Sequence, residues 1–384
     1  MDAQRDVLIV GGGIIGLALA RELAKRGRTV TVFERDRAGR GASWAAAGML
    51  APAAELGFEE IDLYRLGRES LRRWPDFARD LEAAGGMSVG YRDEGTLVVA
   101  DDRDAAEALR RLYRFQEEHG APVEWMTGRE ALEVEPFLSP KLAAAVFSPE
   151  DHQVDNRAVV EALRTVAEAH PNIILRECVT VSAVAPREHP AVVVDDGEQT
   201  AARVVVLAAG AWTRGIEGLE PAPPVRPLKG QMLSLRMEAP FELGHVVRGP
   251  DAYLAPKSDG RLVIGATSEE MGFDTTVTAG GLYRLLEGAV EVVPGIEELE
   301  VAETWVGFRP ASRDHAPLLG TAAPGVVLAT GHYRHGILLA PVTAQELGAE
   351  IDDRLNGGGE TSDWLAPFSP HRFAPVFSVR QRVL

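Results

Sequence analysis

The sequence predicts two interleaved domains, one an α/β domain around a parallel sheet and the other an α+β domain of mixed and antiparallel sheet. Three observations carry this prediction. Residues 6–34 read as a short apolar strand, a glycine cluster, an Ala-rich helix and a second strand. Residues 203–212 form a β-branched run that ends in small residues, which is typical of a strand buried on both faces of a parallel sheet. Residues 231–267 read instead as antiparallel strands.

The N-terminal unit predicts a Rossmann-type dinucleotide site. Gly11, Gly13 and Gly16 have the G-x-G-x-x-G spacing directly after the strand. Such glycines allow a tight turn, a close approach of the backbone to a pyrophosphate, and tight packing of the helix, whose N-terminus faces the phosphates. Glu34 ends the second strand at the distance expected for an acid that accepts a hydrogen bond from a ribose hydroxyl.

The remaining elements follow in order along the chain. Asp155 and Asn156 offer an N-cap for a helix that ends near residue 169, and Asp195-Asp196-Gly197 and Ser258-Asp259-Gly260 read as turns. The other predicted helices span residues 61–84, 104–118 and about 337–352. The other predicted strands lie at residues 95–100, 172–181, 191–194 and 326–330.

Nucleotide-binding elements therefore occur at the start, middle and end of the chain. We predict a discontinuous nucleotide domain of residues 1–84, 150–220 and 305–370. The second domain then comprises residues 85–149 and 221–304, and residues 371–384 form a C-terminal tail.

Composition excludes several classes of protein. The 384 residues carry 57 acidic and 40 basic side chains, a formal charge of −17, which argues against a nucleic-acid or anionic-membrane partner. The single cysteine, Cys178, cannot form an intrachain disulfide and is expected to be a small buried residue. Cys/His metal-ligand spacing, a signal peptide and a membrane-spanning run are not seen in the sequence. The expectation is a soluble cytoplasmic protein.

Four further segments resemble a known family. They are WAAAGMLAP from Trp44, YLAPKSDGRLVIGAT from Tyr253, WVGFRPASRDHAPLLG from Trp305 and GHYRHGILLAP from Gly331. With the N-terminal unit, they resemble the FAD-dependent oxidases of the D-amino-acid oxidase superfamily, and within it the bacterial glycine oxidases of thiamine biosynthesis. The resemblance runs from about residue 6 to residue 368 and implies bound FAD and a homotetramer. Monomeric sarcosine oxidases attach FAD to a cysteine in the C-terminal half, whereas the single Cys178 lies elsewhere, so we expect FAD to be bound noncovalently.

The resemblance also implies roles for individual residues. Val179 matches a residue whose backbone meets the adenine. Arg309 matches the arginine that binds the substrate carboxylate, Tyr253 a substrate-side tyrosine and Arg334 a second basic residue near the substrate. The other positions matching FAD contacts are Ile14, Ile15, Glu34, Arg35, Ala42, Ser43, Ala47, Gly48, Met49, His332, Tyr333, Arg334, His335, Gly336, Ile337 and Leu338.

The residue types suit this chemistry. An amino acid presents a carboxylate, and a planar, permanently charged arginine binds it with two parallel hydrogen bonds. The resemblance further implies that the helix predicted to begin near Ile337 points its N-terminus at the flavin, where its dipole would favour negative charge. No side-chain nucleophile or metal is required, because the cofactor carries the oxidation, and no dedicated general base is evident in the sequence.

The predicted reaction is oxidation of glycine by FAD and dioxygen to an imine, hydrolysed to glyoxylate and ammonia or used in thiazole synthesis, with release of hydrogen peroxide. Sarcosine and small D-amino acids remain further candidate substrates. Other amine oxidases or dehydrogenases of the superfamily remain alternatives, as does an FAD-binding scaffold without activity. Asp251 and Ser268 stand where histidine and methionine are common in glycine oxidases, which leaves substrate preference open.

Overall fold

The computed structural model describes residues 5–373 of the chain. The predicted C-terminal tail lies, from residue 374 onward, outside the described residues. The helices are α1 (Ile14–Lys25), α2 (Ala42–Ala45), α3 (Ile61–Gly85), α4 (Arg103–Glu118), α5 (Gly128–Val134), α6 (Asn156–Ala169), α7 (Ala279–Val292) and α8 (Ala340–Leu355).

Strands make up two large sheets and one small one. Their bounds are β1 (Arg5–Val10), β2 (Val30–Phe33), β3 (Met49–Leu50), β4 (Thr96–Ala100), β5 (Glu124–Thr127), β6 (Ala144–Ser148), β7 (His152–Gln153), β8 (Ile173–Arg176), β9 (Val181–Ala185), β10 (Ala191–Val194), β11 (Gln199–Leu207), β12 (Arg226–Arg236), β13 (Val246–Arg248), β14 (Tyr253–Pro256), β15 (Arg261–Gly265), β16 (Glu300–Ala311), β17 (Leu318–Ala323) and β18 (Val326–Thr330).

The first sheet has eight strands, six of them in the order β17-β18-β11-β1-β2-β8, where all neighbours pair in parallel except β17 with β18. The other two are added in antiparallel pairs, β10 on β11 and β9 on β10. Its central strands β1 and β11 are almost wholly apolar where they pair, and α1, α6 and α8 pack together beside them. Parallel sheets need cover on both faces, which explains these continuous apolar runs. The loops after β1 and β2 meet at the carboxyl edge, where α/β sheets bind ligands.

The second sheet has the order β16-β12-β15-β14-β13-β4-β6-β5. Its strand pairs are antiparallel, apart from the parallel pair of β13 and β4. Its buried apolar face packs against α7. The predicted fold class, a Rossmann-type domain interleaved with a mixed and antiparallel sheet, is confirmed.

Most predicted elements are present with small shifts of their ends. Asp155 caps α6 by accepting hydrogen bonds from the N–H groups of Arg157 and Ala158. The turn at 258–260 joins β14 to β15 as expected. The prediction of a single strand at 172–181 is wrong, because the structure has two strands there, β8 and β9, separated by an irregular segment at residues 177–180.

Two further expectations are corrected. The last helix begins at Ala340 rather than near Ile337, because tight turns occupy residues 333–339 and Pro341 fits the first turn of a helix. Cys178 is exposed rather than buried, since the chain turns out of the sheet there with a left-handed φ of 57°.

The domain boundaries remain a proposal. The predicted break at residue 305 divides β16, although this strand pairs with β12 of the second sheet along its length. We therefore propose to move that boundary to the end of β16, after Ala311. None of the helices formed by residues 5–373 has the length and apolar character needed to cross a membrane.

Candidate active site

A cavity of about 860 Å³ lies between the two sheets. Its volume falls within the ~300–1,000 Å³ range that small-molecule and cofactor sites occupy. One end is lined by the loops after β1 and β2, and the other end by Tyr253 of β14 and Arg309 of β16. The cavity is therefore continuous from the nucleotide-binding loops to the second sheet.

At the nucleotide end, two glycines permit the turn from β1 into α1. Gly11 has a φ of 113°, and a Cβ atom there would lie 2.4 Å from the carbonyl oxygen of Ala208. A Cβ atom on Gly16 would lie 1.9 Å from the carbonyl oxygen of Gly11. Both contacts are with backbone atoms, so a larger residue would force strands, turn and helix apart.

The acid at the end of β2 organises the same loop. One carboxylate oxygen of Glu34 accepts a hydrogen bond of 2.7 Å from the N–H group of Gly12, and the other accepts one of 3.0 Å from the N–H group of Asp36. The hydroxyl of Ser43 accepts a hydrogen bond of 3.0 Å from the N–H group of Ile14, at the N-terminus of α1. These bonds fix the glycine turn beside the cavity.

The segment from Ala47 to Met49 forms the middle of the wall, and a buried lysine anchors it. The ammonium group of Lys257 donates hydrogen bonds to the carbonyl oxygens of Ala47 at 2.6 Å and Val154 at 2.8 Å, and to the side-chain oxygen of Gln153 at 3.2 Å. Burial lowers the pKa of Lys257 to about 7. Gly48, with a φ of 75°, is required because a Cβ atom would lie 2.1 Å from the Val154 carbonyl.

The 332–338 segment lines the opposite wall. His332 is buried, and its Nε2 atom shares a hydrogen bond of 3.2 Å with the hydroxyl of Thr343. Burial lowers the pKa of His332 to about 3 and that of His335 to about 4, so both imidazoles are neutral at pH 7. The carbonyl oxygen of Leu338 accepts hydrogen bonds from Ser70 and Trp74 of α3, which fixes the end of the segment.

On the second sheet, glycines make room for the two predicted substrate residues. A Cβ atom on Gly230 of β12 would lie 2.7 Å from a guanidinium nitrogen of Arg309, and one on Gly265 of β15 would lie 2.4 Å from the hydroxyl of Tyr253. Arg309 also donates a hydrogen bond of 3.0 Å to the carbonyl oxygen of Thr267. Because glycine has no side chain, Gly230 leaves the space that the Arg309 guanidinium occupies, and Gly265 leaves the space for the Tyr253 hydroxyl.

Gly230→Ala is expected to weaken binding of small carboxylates at least tenfold while leaving FAD bound. The methyl group displaces the end of a flexible side chain rather than backbone, so the fold survives but the bidentate geometry is lost. The measurement is titration of the flavin spectrum with acetate. Gly280→Ala is the control, because its Cβ atom meets nothing within 4 Å; equal acetate affinity in both variants would contradict the assignment.

Arg334 lies at the cavity wall but is engaged by two acids. It donates hydrogen bonds to Glu55 at 2.9 Å and to Glu60 at 3.0 Å. Arg248 donates to the other oxygen of Glu55 at 2.5 Å. Among residues 5–373, Arg309 forms no comparable ion pair with a carboxylate. Of these three arginines, Arg309 is therefore the one available to a substrate anion.

The loop that carries Glu55 rests on a buried acid. Asp151 is fully buried and accepts hydrogen bonds from the N–H groups of Ala53 at 3.0 Å and Ala54 at 2.8 Å. Burial raises the pKa of Asp151 to about 7, although the two N–H groups oppose the shift. A carboxyl group with a raised folded-state pKa stabilises the fold fully below its unfolded pKa near 3.8, and this contribution is lost as pH rises toward 7.

We therefore expect Asp151→Asn to cancel this pH dependence. The parent protein loses this stabilisation as pH rises and the variant does not, so the free energy of unfolding of the variant should increase relative to that of the parent between pH 5 and pH 8. Urea denaturation at both pH values measures the difference. Asp76→Asn, at a side chain that is 77% exposed, is the control and should show no such trend. A pH-independent difference for Asp151→Asn would contradict the raised pKa.

The structure brings nearly all the predicted residues to one cavity. The exception is Gly16, which packs beneath the turn as its predicted role requires. Residues that line the cavity and were not predicted include Glu55, Gly230, Arg248 and Gly265. No local motif marks them, since their neighbours come from distant parts of the chain.

The lining fits FAD. The glycine turn and the N-terminus of α1 suit a pyrophosphate, Glu34 suits a ribose, and the cavity extends far beyond them to Arg309. A Rossmann-type sheet that faces a second sheet bearing an available arginine defines a dinucleotide-dependent oxidoreductase for small anionic substrates.

Comparisons with known proteins agree. A family model described as "DAO: FAD dependent oxidoreductase" matches residues 6–350. Glycine oxidase of Geobacillus kaustophilus is 39% identical over 375 residues, which cover 96% of this chain and 97% of that protein. The bifunctional protein ThiO/ThiG of Synechocystis sp. is 38% identical over 99% of this chain, which spans 56% of that relative.

Two solved structures of oxidases are similar to this chain over nearly its whole length. The crystal structure of glycine oxidase from G. kaustophilus has a TM-score of 0.88 at 37% identity, covering 97% of this chain and all of that one. Iminodiacetate oxidase from Chelativorans sp. BNC1 has a TM-score of 0.82 at 28% identity, covering 95% and 98%. The chain belongs to the DAO family of FAD-dependent oxidoreductases, as its motifs indicated, and FAD is its cofactor.

Proposed function

We propose that the protein is a glycine oxidase, which oxidises glycine to the imine, hydrolysed to glyoxylate and ammonia, with dioxygen as the electron acceptor. One observation carries this proposal: Arg309, without an acidic partner among residues 5–373, faces the same cavity as the FAD-binding loops. The glycine oxidases similar to this chain over nearly its whole length support it.

The chain's own residues bind and orient the substrate. Arg309 holds the carboxylate through parallel N–H donors, and the Thr267 carbonyl and the space over Gly230 fix its guanidinium. Burial raises the pKa of Tyr253, so its hydroxyl stays protonated and donates a hydrogen bond to the same carboxylate. Together these contacts direct the substrate Cα toward the cofactor end of the cavity.

FAD held by the loops after β1 and β2 and by the 332–338 segment would supply the redox chemistry, a two-electron oxidation of the amine with dioxygen as the final acceptor and hydrogen peroxide as its product. We propose that FAD is bound noncovalently. Cys178, the one thiol of the chain, is exposed and is not part of the cavity lining, so it offers no attachment point.

The proposal extends to the cellular role. A relative named ThiO/ThiG carries a further region beyond the part similar to this chain, which supports the proposal that the imine serves thiazole synthesis in thiamine biosynthesis. We also propose a cytoplasmic homotetramer, as the family resemblance implies; light scattering of the purified protein tests the oligomeric state.

The activity is tested by mixing the purified FAD-loaded protein with glycine in air and measuring glyoxylate, ammonia and hydrogen peroxide. Equal amounts of glyoxylate and peroxide are expected. Sarcosine and D-alanine are compared under the same conditions, since Asp251 and Ser268 line the cavity and bear on substrate size. Turnover of D-alanine or sarcosine without turnover of glycine would replace the proposal by another amine oxidase.

A further inference from the structure

A buried acid lies between two arginines at the wall of the cavity. The side chain of Glu55 is 8% exposed, and its two oxygens accept from Arg248 at 2.5 Å and from Arg334 at 2.9 Å. Burial alone would raise the pKa of Glu55, but neighbouring groups, above all the guanidinium of Arg248, hold it at about 2. Glu55 is therefore ionised at neutral pH and cancels positive charge beside the substrate region.

Arg248 belongs to the same sheet surface as the substrate residues. It is the cross-strand partner of Tyr253, and directly paired residues project to the same face of a sheet. Gly230, over which the Arg309 guanidinium lies, is in β12, three strands from β13 in the order β12-β15-β14-β13. Three strand spacings are about 14 Å. Tyr253 lies near both arginines, because burial raises the pKa of its hydroxyl while Arg309 and Arg248 both oppose that shift.

The two arginines on Glu55 differ in what else holds them. Arg334 also pairs with Glu60 at 3.0 Å. Within residues 5–373, Arg248 has Glu55 as its carboxylate partner and no second one. Loss of the Glu55 charge would leave Arg334 compensated and Arg248 with an uncompensated positive charge facing the cavity.

We propose that Glu55 determines specificity by neutralising Arg248, so that the site accepts amines with one carboxylate and discriminates against amines with two. The proposal rests on the proposed function, since it needs Arg309 as the site of the first carboxylate. The ligand class that Arg248 would admit is a small dicarboxylate. Iminodiacetate, which gives the name of a structurally similar oxidase, is an amine of this class.

The test compares two inert acids of equal length, glutarate and pentanoate, titrated into the FAD-loaded protein while the flavin spectrum is followed. Glutarate has the chain of iminodiacetate with a methylene in place of the nitrogen. In Glu55→Gln, the affinity for glutarate relative to pentanoate is expected to rise about tenfold, because a charged donor becomes available to the second carboxylate. Glutamine keeps the shape of the side chain and an oxygen that accepts from Arg248.

Two controls distinguish the loss of the Glu55–Arg248 ion pair from a general change in the charge of the cavity. Asp251→Asn removes one negative charge from an exposed residue of the cavity rim and should change the ratio much less. Glu55→Gln/Arg248→Gln should return the ratio to that of the parent protein. A ratio unchanged in Glu55→Gln, an equal rise in Asp251→Asn, or a rise that persists in the double variant would each overturn the proposal.

Arg248→Gln keeps the test decisive should Glu55→Gln not fold. It leaves the negative charge of Glu55 without its closest partner, so glutarate should lose affinity relative to pentanoate; an unchanged ratio would overturn the proposal. Arg309→Ala tests the proposed function separately from the role of Glu55. Should that variant bind pentanoate as tightly as the parent protein, the carboxylate site of the proposed function would be wrong, whatever Glu55 does.

Discussion

Arg309→Ala is expected to weaken acetate and glycine binding by about 2 to 5 kcal/mol, roughly 30-fold to 5,000-fold, while FAD stays bound. The guanidinium provides the positive charge that the described residues leave without an acidic partner beside the substrate region. FAD is expected to stay because its predicted contacts are on the first sheet and on the 332–338 segment. Titration of the flavin spectrum and steady-state kinetics with glycine measure the two affinities.

Arg236→Ala is the matched control. This arginine is on β12 of the same sheet, but it is largely exposed and pairs with Glu300 rather than facing the cavity. Surface ion pairs of this kind contribute little, so glycine kinetics should not change. A normal KM for glycine in Arg309→Ala would show that the carboxylate binds elsewhere.

Gly11→Ala is expected to abolish FAD binding. The added methyl group would lie 2.4 Å from the Ala208 carbonyl oxygen and 2.9 Å from the Cα atom of Ala209, and the φ of 113° is itself unfavourable for alanine. The loops after β1 and β11 must then separate at the point where the pyrophosphate is expected. Purified protein should lack the yellow colour of flavin and show no rise in melting temperature when FAD is added.

Gly27→Ala is the control that separates the strain of a positive φ from the steric contact made at Gly11. Gly27 also has a positive φ, 82°, but a Cβ atom there meets nothing within 4 Å. Only the backbone strain of about 1 kcal/mol is expected, with normal FAD content. If both variants retained FAD equally, the contact between the loops after β1 and β11 would not matter for the cofactor.

Local sequence was sufficient for the cofactor end of the molecule. The glycine spacing, the apolar strand before it and Glu34 lie within one short unit, so their physical roles can be read together. The N-cap at Asp155 and the turn at Ser258 to Gly260 were likewise local and correct. The resemblance to a family added Arg309 and Tyr253, whose places at the cavity agree with their predicted roles while the roles themselves stay predictions.

Contacts between distant segments could not be predicted. Gly230 and Arg309 are 79 residues apart and meet because β12 and β16 pair. Glu55 and Arg248 are 193 residues apart, and a charge in a loop reads as a surface residue until its partner is known. The late start of α8 was missed for a different reason, because the apolar pattern of residues 337–339 continues into the helix without a break.

The most direct test of glycine oxidation at Arg309 is anaerobic mixing of the FAD-loaded protein with glycine, followed at the visible absorption band of the flavin, for the parent protein and Arg309→Ala. We expect rapid bleaching in the parent protein and recovery of the band with formation of peroxide when air is admitted. In the variant we expect bleaching only at a much higher glycine concentration. Failure of glycine to bleach the parent flavin, while another amine does so, would contradict the assignment of glycine as substrate.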